Sequence, residues 1–160
     1  MDTLVRTPEP REMEGVFLMG FDAWAGGKSR ERYLAGCRNS PHYRQGRWYV
    51  LAPGGEIVSS LITYQDLFRL PPGCHGIGSA ATVPACRGQG HGSRLVRSVV
   101  GGLATAGSRG VFLFSEVGER FYRDLGFSRT ADARHANGSL CMLRAFEDGG
   151  ALRSHTPDYF

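Results

Sequence analysis

Pro84-Ala85-Cys86-Arg87-Gly88-Gln89-Gly90-His91-Gly92-Ser93 is the stretch that decides the fold. It follows a run of small, β-compatible residues at 76–83 (GIGSAATV). It opens into a helical pattern that puts Leu95, Val96, Val99, Val100 and Leu103 on one face. Alternate glycines let the backbone take unusual dihedrals and approach a ligand closely. Successive amides in such a loop converge as a nest for an anion, aided by the helix N-terminus behind them. The chemistry implied is phosphate or pyrophosphate.

Downstream, 111–115 (VFLFS) reads as a buried strand, so 76–115 is a strand–helix–strand unit of the crossover type that makes a parallel pair. Residues 118–125 read as a short helix, with last strands at 127–131 and 139–145. Upstream, 2–7 predicts a first strand. A helix from Pro10 carries Met13, Phe17, Phe21 and Trp24 on one face and stops at Gly26-Gly27. Ser29 caps a second helix, and 38–46 reads as loop. Residues 47–52 and 56–65 form a hairpin across Pro53-Gly54-Gly55. The fold class is α+β: one mixed central sheet of six to seven strands with about four helices. A single domain covers 1–160, with 147–160 as a loosely ordered tail.

Composition narrows the partners. The chain has 160 residues, net charge +4 and 41% apolar residues, as a globular domain does. Its 19 basic residues include one lysine, Lys28, and form no run, so nucleic acid is not the expected partner. No apolar stretch is long enough to span a membrane. Cys37, Cys74, Cys86 and Cys141 make no CxxC, so no metal is expected. Isolated thiols point to the cytoplasm.

Three loop types compete at 84–93. A P-loop needs Gly-Lys-Ser/Thr, and the one lysine lies elsewhere. A dinucleotide loop finds a near match in Gly88-x-Gly90-x-x-Ser93, with Glu116 as a ribose-binding acid. However, Pro84–Arg87 separates strand from glycines, and the hairpin half does not suit a doubly wound sheet. The third pattern is Arg/Gln-x-x-Gly-x-Gly/Ala after a strand and a proline. Arg87, Gly90 and Gly92 fill it. Phe121-Tyr122-Arg123-Asp124-Leu125-Gly126-Phe127 supplies a Tyr-x-x-x-Gly-Phe downstream. On these two motifs residues 76–127 resemble the GNAT superfamily of N-acetyltransferases.

That resemblance implies acetyl-CoA as co-substrate and direct transfer of its acetyl group to a primary amine. The acceptor class stays open among small amines, amino acids, drugs and protein amines. It implies a V-shaped splay between the strands at 76–83 and 111–115. Pantetheine would pair there with backbone near Thr82 and Val83. The amides of Gly88, Gln89, Gly90, His91, Gly92 and Ser93 would hold the pyrophosphate. Arg87 is open to two roles, a phosphate contact or a salt bridge that orders the loop. Ser115 occupies a slot where relatives carry Asn, and is a cofactor-contact candidate. Tyr122 takes the place of the general acid that protonates the departing thiolate. The strand before the loop carries no ionisable group, so His75 and Glu116 are the candidate bases. Many relatives dimerise, so a homodimer is a possible assembly. A module that holds acyl-CoA without turnover is the alternative from another class.

Overall fold

The computed structural model describes residues 2–147 and 149–160. Seven strands are present among them: β1 (Val5–Arg6), β2 (Arg47–Leu51), β3 (Ser59–Gln65), β4 (Cys74–Thr82), β5 (Gly110–Ser115), β6 (Ser128–Arg134) and β7 (Leu140–Ala145). They hydrogen-bond in the order β1-β2-β3-β4-β5-β7-β6. β4 and β5 are parallel, while β1–β2, β5–β7 and β6–β7 are antiparallel. The mixed sheet is therefore the one the sequence implies.

The helices are α1 (Met13–Leu18), α2 (Phe21–Trp24), α3 (Arg30–Asn39), α4 (Pro41–Gln45), α5 (His91–Thr105), α6 (Arg120–Arg123) and α7 (Gly150–Arg153). α5 buries Leu95, Val96, Val99 and Val100. It ends as a Schellman turn: Ser108 N–H reaches Leu103 C=O and Gly107 N–H reaches Ala104 C=O, with Gly107 at φ +92°.

Three expectations need correction. The helix expected from Pro10 to Trp24 is a 3-10 turn at Pro10–Glu12 followed by α1 and α2. The break falls at Gly20, where the Trp24 ring lies where a Cβ would be, 1.9 Å away. Residues 38–46 are not a loop. α3 runs to Asn39, and Ser40 accepts from Tyr43 N–H to cap α4, with Pro41 in its first turn. The tail is packed rather than loose, as described below.

The chain divides into two compact units, one of residues 1–62 with 79–99 and one of residues 63–78 with 100–160. In the first, Phe17, Ala25, Tyr33, Leu34 and Cys37 form a core beneath Tyr43 and Trp48. Phe17 stacks on Tyr43 at 5.8 Å. In the second, Phe112, Leu113, Met142 and Leu143 are fully buried. There Phe160 sits on Gly76, its ring 2.5 Å from where a Cβ would lie, and makes ring contacts with Tyr64, Phe68 and Phe114.

Candidate active site

The glycine loop belongs wholly to the first unit. Gly88 and Gly90 take φ of +74° and +81°, and nothing approaches within 4 Å of where their Cβ atoms would be. Arg94 N–H donates to Gly90 C=O, the first helical bond of α5. Before it come six amides, those of residues 88–93. None of them donates to a described backbone carbonyl. Left-handed glycines at alternate positions, with the intervening amides unspent, are features of a backbone anion nest.

Arg87 fixes that loop. Its guanidinium donates to both oxygens of Asp22, at 2.7 and 3.0 Å, and its Nε donates to Thr82 C=O at 3.0 Å. Of the two roles left open for Arg87, the structure displays the salt bridge. The neighbouring guanidinium holds the Asp22 carboxyl below its ordinary value. No local sequence signal marks Asp22 as the partner, because 65 positions separate the two.

The strand leading into the loop bends. Its pairing with β5 runs from Cys74↔Gly110 to Ile77↔Leu113, and β4 continues to Thr82. Just past the last pair, Ser79 has φ +46°, rare for a residue with a side chain. Tyr43, on α4, hydrogen-bonds its hydroxyl at 3.0 Å. Val83 N–H donates to Val58 C=O at 2.9 Å. Strand alternation therefore turns Thr82's backbone groups away from Val58. The Ser59 hydroxyl lies 3.0 Å from Thr82 Oγ1.

The second unit carries Tyr122. α6 ends as another Schellman turn: Phe127 N–H reaches Tyr122 C=O and Gly126 N–H reaches Arg123 C=O. Gly126 has φ +90° and Arg144 packs 3.2 Å from where its Cβ would be, which explains the glycine of the motif. Phe127 then drops into the core, and the Tyr122 ring meets it edge to face at 5.9 Å. Burial, and then the charge of Glu116, push the Tyr122 phenol up to about 12. Its hydroxyl has no hydrogen-bond partner among the described residues, unlike a core tyrosine tied into the fold.

Ser115 and Glu116 lie just upstream. The Ser115 hydroxyl donates to Gly118 C=O and accepts from Val117 N–H at 3.3 Å, so it closes the turn after β5. Glu116 accepts a hydrogen bond from the Tyr159 hydroxyl. His75 is elsewhere. It pairs with Val111, four residues before Ser115, or roughly 13 Å along the strand. Its Nδ1 hydrogen-bonds Ser108 Oγ at 2.9 Å, and burial pushes its pKa down. Glu116, next to Ser115 in the chain, is thus near enough for its charge to act on Tyr122, and His75 is not with them. Tyr159 was not anticipated; the one hint is that Tyr159-Phe160 is an aromatic pair in a polar tail.

The model of the acetyltransferase (GNAT) family matches residues 13–127. The chain belongs to that family. It is an acyltransferase by membership, and acetyl-CoA is the co-substrate of the family. Solved GNAT structures share the fold. A GNAT acetyltransferase from Brucella melitensis in complex with acetyl-CoA is 20% identical, with TM-score 0.63 over 98% of this chain and 92% of that one. The PaiA N-acetyltransferase of Thermoplasma acidophilum in complex with coenzyme A is 13% identical, with TM-score 0.66 over 89% and 98%. The ribosomal-protein-S18-alanine N-acetyltransferase of Escherichia coli is 16% identical, with TM-score 0.62 over 88% and 92%. No curated protein sequence matches this chain. Among the described residues no helix is long and apolar enough to cross a membrane.

Proposed function

We propose that this acyltransferase moves the acetyl group of acetyl-CoA to a primary amine by direct attack in a ternary complex. The observation that carries the reading is the row of six amides at residues 88–93 without backbone acceptors, between left-handed Gly88 and Gly90. Pyrophosphate is the ligand that suits so many donors at once. Two of the structural neighbours have acetyl-CoA or coenzyme A bound, which agrees with this choice. Thr82, through its N–H, is the residue we assign to pantetheine rather than Val83, because both backbone groups of Val83 are taken, by Val58 and Cys86, whereas at Thr82 only the carbonyl is used among the described residues, by Arg87.

The chemistry then runs in balance. The acceptor ammonium first gives up a proton to solvent, since its ordinary pKa of about 10.4 keeps the nitrogen lone pair occupied. The amine nitrogen bonds to the thioester carbonyl carbon, the C–S bond breaks, and the thiolate leaves with its electron pair. Tyr122 donates its proton to that thiolate, the acylated nitrogen sheds its surplus proton, and solvent relays a proton back to the phenol. A phenol pushed up to about 12 holds its proton at every working pH, so it is always in donor form.

Thiol release from acetyl-CoA across an amine panel tests the reading, with a thermal shift run beside it. The expected result is stabilisation by coenzyme A and turnover with at least one amine. Stabilisation without turnover on any amine would mean an acyl-CoA-binding module. A shift with NAD in place of coenzyme A would mean a dinucleotide site.

A further inference from the structure

The packed tail brings a side chain to the reacting end of the second unit. Glu116 follows Ser115 directly, so the 115–118 turn that the Ser115 hydroxyl closes also fixes the backbone of Glu116. Glu119, three residues on, is held by Arg129 at 2.6 Å and Arg123 at 3.6 Å. Glu116 has no ion pair among the described residues. Its recorded partner is the neutral Tyr159 hydroxyl, which donates to Oε1. A carboxylate oriented by a phenol keeps its whole negative charge for a cation, whereas one paired with arginine does not.

Tyr159 is itself placed from several sides. Its ring stacks on His135 at 5.0 Å and meets Phe114 edge-on at 5.2 Å. On one side of it in sequence, Asp158 N–H donates to Phe68 C=O at 2.7 Å; on the other, Phe160 lies on Gly76. These contacts together fix where the Tyr159 hydroxyl lies.

We propose that Tyr159 is a positioning residue, holding the Glu116 carboxylate as the group that receives the ammonium of the acceptor beside Tyr122. The inference rests on the acetyl-transfer reading and adds that the preferred acceptors are amines that arrive as cations. The same contact acts on Tyr122. The charge of Glu116 is one of the two influences that hold the proton on Tyr122. An ammonium drawn to Glu116 cancels that charge, so arrival of the acceptor makes the phenol a readier donor.

A double-mutant cycle on kcat/KM, with a cationic amine the wild type accepts, tests the proposal. Glu116→Gln is expected to lower kcat/KM about tenfold, mainly through the acceptor KM, and Tyr159→Phe about fivefold. The double variant is expected to be no worse than Glu116→Gln, because the hydroxyl acts only through the carboxylate. The KM for acetyl-CoA is expected to stay within about twofold throughout. Additive losses, an unchanged Glu116→Gln, or a parallel rise in the acetyl-CoA KM would each overturn the inference and leave acetyl transfer standing. A wild type that acetylates no amine overturns both together.

Discussion

The Arg87 guanidinium lies flat against the Asp22 carboxylate, with two N–H groups on its two oxygens at 2.7 and 3.0 Å. The same side chain holds Thr82 C=O, so one arginine joins α2, the end of β4 and the glycine loop. Asp22→Asn removes the charge and keeps the shape. It is expected to raise the KM for acetyl-CoA about fivefold with little change in kcat, since exposed ion pairs contribute modestly. Steady-state kinetics at fixed amine checks this; an unchanged KM would remove the strut role from Arg87.

Gly90 tests the nest. At φ +81° any side chain is strained, although space is open above it. Gly90→Ala is expected to cost about 1 kcal/mol of stability through the backbone. It is expected to weaken coenzyme A binding about tenfold or more by turning amides off the pyrophosphate. Calorimetric titration with coenzyme A measures the second effect separately from thermal unfolding.

Tyr122→Phe keeps the ring that packs on Phe127 and removes only the donor. The expected loss is about a hundredfold in kcat at unchanged KM for acetyl-CoA. Retained kcat would make Tyr122 a packing residue.

The pH profile gives a separate check on the same phenol. With its pKa raised to about 12, the tyrosine stays protonated throughout an assay from pH 7 to 10. The wild-type kcat should therefore show no alkaline fall that Tyr122→Phe abolishes. A fall centred near 10 and lost in the variant would contradict the buried, charge-opposed environment.

At the acid end the relevant group is Glu12. Arg6 donates to both its oxygens, at 2.7 and 2.8 Å, and holds the carboxyl down at about 2, helped by Glu9 N–H. A carboxyl depressed by folding adds stability above its unfolded value and loses it as pH falls through the folded one. The window here runs from about 4.5 down to about 2. The Tm difference between wild type and Glu12→Gln is expected to shrink across that window; a constant difference would show the pair to be inert.

What the sequence made legible was what glycine and capping chemistry fix locally. The glycine loop, the Gly107 stop and the Gly126-Phe127 turn all follow from a backbone that must go left-handed at particular residues. α4 was missed: Ser40-Pro41 is a cap followed by a first-turn proline, but it lies in a polar stretch with no apolar period to draw attention. The break at Gly20 was hidden, because the heptad-like spacing of Phe17, Phe21 and Trp24 continues across it and the Trp24 ring supplies the reason only in three dimensions. Asp22 beneath Arg87 and Tyr159 on Glu116 were illegible for a different reason. Each pair joins residues far apart in sequence, and no period or motif spans such a distance.

One loop carries this dependence furthest. Asp66, Phe68 and Arg69 all have positive φ, three strained residues within four. His155 holds Arg69 C=O from 86 positions away, and Asp158 reaches the Arg69 side chain from 89. On a ribosome adding about 5–20 residues per second, the clamp is made several seconds after the loop it closes. Until then the tail does not oppose the strain in the linker between β3 and β4. The clamp on that loop is thus set late in synthesis, and a stall between residues 146 and 154 would leave a nascent chain whose sheet sequence is complete but whose loop lacks its clamp.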